Sequence, residues 1–221
     1  VRELVQNSMD AHNNVASPVK IIIDLKKVKT QEFKGFKEIW PHIEACRDYQ
    51  KDFEKKNSIW KLRYQNSIDL YKKLKDVSIL CFHDSETTGL YGPVNGEPKG
   101  AFHAIKAQGL SAKQDGGSGG SFGHGAVAAL LYSGIGAVFY YSKVLNKPKE
   151  RFFGKIILQS HFHPSDKQLT RAMGYYGNDD DDISPLLDNN IPNWAKEFRK
   201  EQGFGVGTSV YVPYTYFSED L

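Results

Sequence analysis

A chain of 221 residues, 40% hydrophobic and 25% charged, is long and apolar enough to bury its own core without disulfide or metal staples. Its 29 basic and 26 acidic residues leave a formal charge of +3, too even a balance for charge alone to name a nucleic-acid partner. Frequent charges exclude a membrane-spanning run, and two cysteines, Cys46 and Cys81, are too few for a disulfide framework or a structural zinc site, so a reducing, cytoplasmic setting is expected.

Residues 1–12 read as a helix with Leu4, Val5, Met9 and Ala11 toward a core, followed by an Asn13-Asn14 turn and a strand at 19–23. The chain opens at Val1 with neither an initiator Met nor a secretory pattern, which predicts a domain belonging to a larger protein. Between 36 and 75, Ile39, Trp40, Ile43, Ile59, Leu62, Leu70 and Leu74 recur at helical spacing and predict two or three amphipathic helices. The bases there, Lys51, Lys55, Lys56, Lys61, Arg63, Lys72, Lys73 and Lys75, read as a solvated helix face ahead of a nucleic-acid contact. A short strand at 78–82 ends at His83-Asp84, where a polar, glycine-rich stretch from 85 to 125 predicts a long mobile loop. Beyond it a helix at 126–131, strands at 136–142 and 153–163, a helix at 192–201 and a last strand at 207–214 are expected. His161 and His163 alternate on the second of those strands and, without a third close ligand, read as surface residues; Asp179–Asp182 reads as a solvated turn.

Three features suggest chemistry when taken together; singly, the first reads as a solvated helix face and the second as an Asx-capped turn. Glu3, Asn7 and Asp10 stand at i, i+4 and i+7, so one helix face offers an acid, an amide and an acid, suited to a base and a hydrated metal. Asp84 ends an apolar strand and precedes Gly89, a pairing in which a carboxylate accepts from an amine and a glycine lets a flat ring approach. The run Gly119-Gly120-Ser121-Phe122-Gly123-His124-Gly125 leads straight into an apolar helix and so presents backbone N–H groups to an anion such as a phosphate chain. Ala126 follows the glycines without a Lys-Ser or Lys-Thr pair, which excludes a Walker A loop.

Taken in order, the Glu3-x-x-x-Asn7-x-x-Asp10-Ala11 helix, Asp84 with Gly89, the glycine run to Gly125 and the closing Gly207-Thr208-Ser209-Val210 strand resemble the GHKL ATPases, the family of gyrase B, MutL, sensor histidine kinases and heat-shock chaperones. The resemblance spans residues 3 to 209. It implies one domain over 1–221 with the Bergerat fold, a two-layer α/β sandwich in which a mixed sheet backs the helices around ATP, with an ATP lid at 85–125 and a helical insertion at 36–75. It further implies Glu3 as the base for water attack on the γ-phosphate, Asn7 as the Mg²⁺ ligand, and Asp84 as acceptor of the adenine amine. Gly89 would lie against the base, Gly120, Ser121, Phe122, Gly123, His124 and Gly125 would surround the phosphates, and Thr208 would support Asp84. The expected activity is Mg²⁺-dependent ATP hydrolysis driving a lid-closure switch. Its partners would be the rest of the parent protein, a nucleotide-dependent second copy, or nucleic acid in repair, topology or phage defence, and no membrane. A histidine-kinase catalytic domain and a nucleotide sensor without turnover are the alternatives; Glu3 argues against the kinase branch, where that position is typically an amide or His. Two departures stand out. Asp84-Ser-Glu-Thr-Thr-Gly89 lacks one glycine of the family's Asp-x-Gly-x-Gly, and Ala126 stands where a similar lid is expected to carry a polar or basic residue.

Overall fold

A computed structural model describes residues 2–13, 17–53, 59–94, 105, 129–145, 149–178 and 184–215. Its seven strands are β1 (Lys20–Lys29), β2 (Asp76–Ser85), β3 (Ala137–Lys143), β4 (Glu150–Ile157), β5 (Met173–Tyr176), β6 (Leu186–Leu187) and β7 (Gly207–Pro213). They form one sheet in the order β1-β2-β7-β3-β4-β5, with β6 also on β4. Every pairing is antiparallel, so the mixed sheet implied by the resemblance is an antiparallel one among the described residues. The helices are α1 (Arg2–Asp10), α2 (Gly35–Phe53), α3 (Ile59–Tyr71) and α4 (Asn193–Glu201); residues 129–131 are also helical. The fold is mixed α/β, helices packed on a sheet.

Alternation along the strands divides the core in two. Val77, Ile79, Cys81, Ala137, Phe139, Tyr141, Phe152 and Tyr211 point to one face and pack with Phe36, Trp40, Ile43, Tyr64, Tyr71, Trp194 and Phe198 of α2, α3 and α4. Phe82, Val138, Tyr140, Phe153, Val210 and Val212 point to the other, where Leu4 and Val5 of α1 and Ala129 and Leu130 meet them. Helices therefore lie on both faces. Phe33 sits at the centre of the first face, edge-on to Phe36, Phe139, Phe152 and Trp194 at 4.9 to 5.9 Å between ring centroids, the arrangement that ring quadrupoles favour. Cys46 and Cys81 are free and buried.

The described residues between 36 and 75 hold two helices, α2 and α3, and their burial differs from the sequence expectation. In α2, Phe36, Trp40, Ile43 and Cys46 bury at a spacing of three to four residues. In α3 the buried residues are Tyr64, Ser67 and Tyr71, while Ile59, Leu62 and Leu70 are 80, 62 and 55% exposed and Leu74 just beyond is 43% exposed. Those four aliphatics do not face the core as their spacing suggested. Met9 is also exposed, because α1 turns Leu4, Val5 and Ser8 inward. The strand expected at 19–23 runs on to Lys29, and the one expected at 153–163 is β4, ending at Ile157. β4 buries consecutive residues instead of alternating, since both its faces are covered.

Candidate functional site

Asp84 is the residue on which the candidate site converges. It lies near the end of β2, 6% exposed, pointing to the sheet face that carries α1. The Ser8 hydroxyl of α1 donates to its Oδ2 at 2.9 Å. The Thr87 hydroxyl and the Thr208 backbone N–H both donate to Oδ1 at 2.7 Å. An ionised carboxylate offers about four acceptor sites, so the donors among the described residues fill three of them and leave one. Ser8 also places its neighbour Asn7, which is exposed, and Glu3, which is half-buried, on the helix that abuts Asp84. Asp10, at the far end of the same face, accepts a hydrogen bond from Gln6 at 2.8 Å.

From Asp84 a polar row crosses the sheet. Thr208 of β7 stands opposite Ser142 of β3, and Ser142 opposite Arg151 of β4. Opposed residues in an antiparallel pair share a face, so all four side chains belong to the α1 side. The segment following β2 is draped along this row. Leu90 N–H donates to Ser142 Oγ at 2.7 Å, and Arg151 Nη1 donates to the carbonyls of Leu90 and Gly92 at 2.7 and 2.8 Å. Nearer Asp84, Thr88 N–H donates to the Ala11 carbonyl at 2.8 Å and Asn13 Nδ2 to the Thr87 carbonyl at 2.8 Å. Residues 85–92, expected to open a mobile lid, are thus bound to α1's exit and to the sheet.

Gly89 has its own reason to be glycine: φ is +67°, and a Cβ would stand 2.7 Å from the Lys143 carbonyl and from Ser142 Oγ. Its bare backbone meets β3, and this close approach accounts for the residue without a ligand. Thr208 reaches Asp84 through its main chain; the support expected of it is an amide donor. Gly120, Ser121, Phe122, Gly123, His124 and Gly125 lie outside the described residues.

Behind Asp84, on the opposite face, sits a buried polar network that sequence reasoning missed. Arg199 of α4 is 2% exposed. Its Nη2 donates to the Asp84 carbonyl at 2.8 Å, Nε and Nη2 both donate to the Gly205 carbonyl, and Nη1 donates to Ser209 Oγ at 3.0 Å. The Ser209 hydroxyl lies within hydrogen-bond distance of His83 Nδ1, at 2.8 Å, and His83 Nε2 is buried without a partner among the described residues. Burial first, and the Arg199 charge second, push His83 down to about 4, so the imidazole is neutral at pH 7. Gly207 permits this crowding, with φ +143° and an added Cβ only 2.5 Å from the Asp84 carbonyl oxygen. Ser8 and Thr87 were within reach of the motifs, one residue from Asn7 and three from Asp84; Arg199 had no signal in a short amphipathic helix.

The structure also brings His42 to the pair set aside as surface residues. His161 is 3% exposed, and its Nε2 lies 3.0 Å from His42 Nδ1. Among the described residues, no group of three or more His, Cys, Asp and Glu is placed to hold a metal ion, and no helix is long and apolar enough to cross a membrane. A cleft of about 340 Å³ opens behind Arg199, lined also by Lys143, Lys196 and Lys200. No protein-family model matches the chain, and no curated protein matches it.

Proposed function

We propose that this domain binds and hydrolyses ATP in the manner of the GHKL ATPases, with Asp84 as the adenine acceptor. The observation that supports the reading is the Asp84 carboxylate itself, buried and accepting three hydrogen bonds from the described residues where a carboxylate can take about four, beside the helix that bears Glu3 and Asn7. An exocyclic amine supplies the missing donor. Guanine, with a keto oxygen at that position, would set acceptor against acceptor.

Asn7, exposed on the α1 face, suits Mg²⁺, which keeps several waters and takes few protein ligands besides phosphate oxygens. Bound there, Mg²⁺ would neutralise phosphate charge. Glu3 would take a proton from the attacking water as its oxygen bonds the γ-phosphorus; the bond to the bridging oxygen breaks and its electron pair leaves with ADP. The N–H groups of Gly120–Gly125 would hold the phosphates and order the lid. Lid closure would be read by the rest of the parent protein or by a second copy, and action on nucleic acid would come through those partners. Absence of a basic side chain at Ala126 favours slow turnover in the isolated domain.

Calorimetric titration with a nonhydrolysable ATP analogue and Mg²⁺ tests the reading. Binding by the wild-type domain, loss of it in Asp84→Ala, and much weaker binding of the GTP counterpart are expected. Equal affinity in Asp84→Ala would remove Asp84 from the site.

A further inference from the structure

The buried guanidinium of Arg199 is the group on which the geometry of Asp84 turns. A cation almost wholly removed from water is costly unless it is paired, yet Arg199 makes no ion pair among the described residues and donates only to the Asp84 and Gly205 carbonyls and Ser209 Oγ. The carboxylate whose charge supports it is that of Asp84, against the opposing effect of burial. Asp84 Oδ1 and Arg199 Nη2 crowd the same empty space, 2.6 and 2.7 Å from where a Gly207 Cβ would stand. A direct fork-to-carboxylate bridge would consume the oxygens that a ligand needs. By gripping the backbone carbonyl of Asp84 instead, Arg199 lends its charge from behind and leaves those oxygens to Ser8, Thr87, Thr208 and one further donor.

The same four contacts tie the end of β2 to the start of β7. The guanidinium holds the Gly205 carbonyl and Ser209 Oγ on either side of Thr208 in the chain, so the segment that presents the Thr208 N–H to Oδ1 is anchored by Arg199. We infer that Arg199 is the positioning residue of the adenine pocket, acting through Asp84 from the opposite face of the sheet. This rests on the ATP-binding reading and adds to it a determinant remote in sequence from every motif that suggested it.

The test separates base recognition from phosphate recognition. Affinities for adenosine, for the nonhydrolysable ATP analogue with Mg²⁺ and for Mg²⁺-tripolyphosphate are measured in wild type and in Arg199→Lys, which keeps the charge but loses the fork. Adenosine and the analogue should weaken together by about 10- to 100-fold, with tripolyphosphate unchanged. The adenosine penalty should also vanish in an Asp84→Asn background, as required of a residue that acts through Asp84. Equal weakening of all three ligands in a folded protein, unchanged adenosine affinity, or simple additivity with Asp84→Asn would each overturn the inference. If Arg199→Lys does not fold, Ser209→Ala removes one of its acceptors and should give a smaller loss with the same split; no split overturns the inference equally. Wild-type protein that binds neither adenosine nor the analogue defeats the ATP reading itself, a failure visible before any variant is made.

Discussion

Glu3 and Asn7 stand one turn apart on α1, and Ser8 fixes that helix against Asp84 through a single buried hydroxyl. The proposed roles differ in kind, so the substitutions should separate. Glu3→Ala should retain affinity for the ATP analogue and lose phosphate release by about 10²- to 10⁴-fold; hydrolysis at the wild-type rate would reduce Glu3 to a helix-face acid. His83 offers a second handle. Its folded pKa, near 4, lies below the ordinary value of 6.5, so the unfolded chain takes up the proton first on acidification. The stability is present above about pH 6.5 and is lost as pH falls toward about 4, on the order of 3 kcal/mol from this residue. His42 and His161, also lowered by burial, act in the same direction. Thermal melts between pH 7 and 4 should therefore fall less steeply for His83→Gln than for wild type, and parallel curves would contradict the assignment.

Among the elements, α3 is where periodicity and burial part company. The spacing of its aliphatic residues predicts an inner stripe, but Tyr64, Ser67 and Tyr71 are the ones that bury, Ser67 Oγ donating to the Gly134 carbonyl at 2.7 Å in the turn before β3. Tyr64 and Tyr71 join the buried core beside the sheet, and which face of a helix turns inward is decided by its partners and not by its own spacing. Tyr71→Ala should cost about 3 kcal/mol or more, whereas Leu70→Glu should stay within about 0.5 kcal/mol; denaturant unfolding reads both, and the reverse order would restore the aliphatic face. α2, by contrast, was legible, since Trp40 and Ile43 recur on the side that buries. The second half of β1 was not: the apolar run ends at Ile23, yet the strand continues through Asp24-Leu-Lys-Lys-Val-Lys29 because an edge position lets lysines face water while the backbone pairs with β2.

At the scale of the molecule, residues far apart in sequence meet at Asp84: α1 reaches it through Ser8, and β7 reaches it through Thr208. That much was legible because each motif carries its own local structure, a helix face or a strand end. The back of the site was not, because Arg199, His83 and Ser209 come together only through the β2–β7 register, in which His83 stands opposite Ser209, and register is set by the whole sheet. The first residues of the loop after β2 depart from expectation for a related reason: their polar character suggests mobility, but Thr87, Thr88 and Leu90 have partners in Ala11, Asn13, Ser142 and Arg151 on other elements. The claim that joins these pieces is that the one acceptor position left on Asp84 receives an adenine amine. A crystal structure of the domain with Mg²⁺ and a nonhydrolysable ATP analogue tests it most directly. The account predicts the adenine amine within hydrogen-bond distance of Asp84 Oδ2, the contacts from Ser8, Thr87 and Thr208 intact, and the triphosphate running toward Asn7. A nucleotide bound elsewhere, or an adenine whose amine is met by another group while Asp84 keeps only its three internal donors, would contradict it.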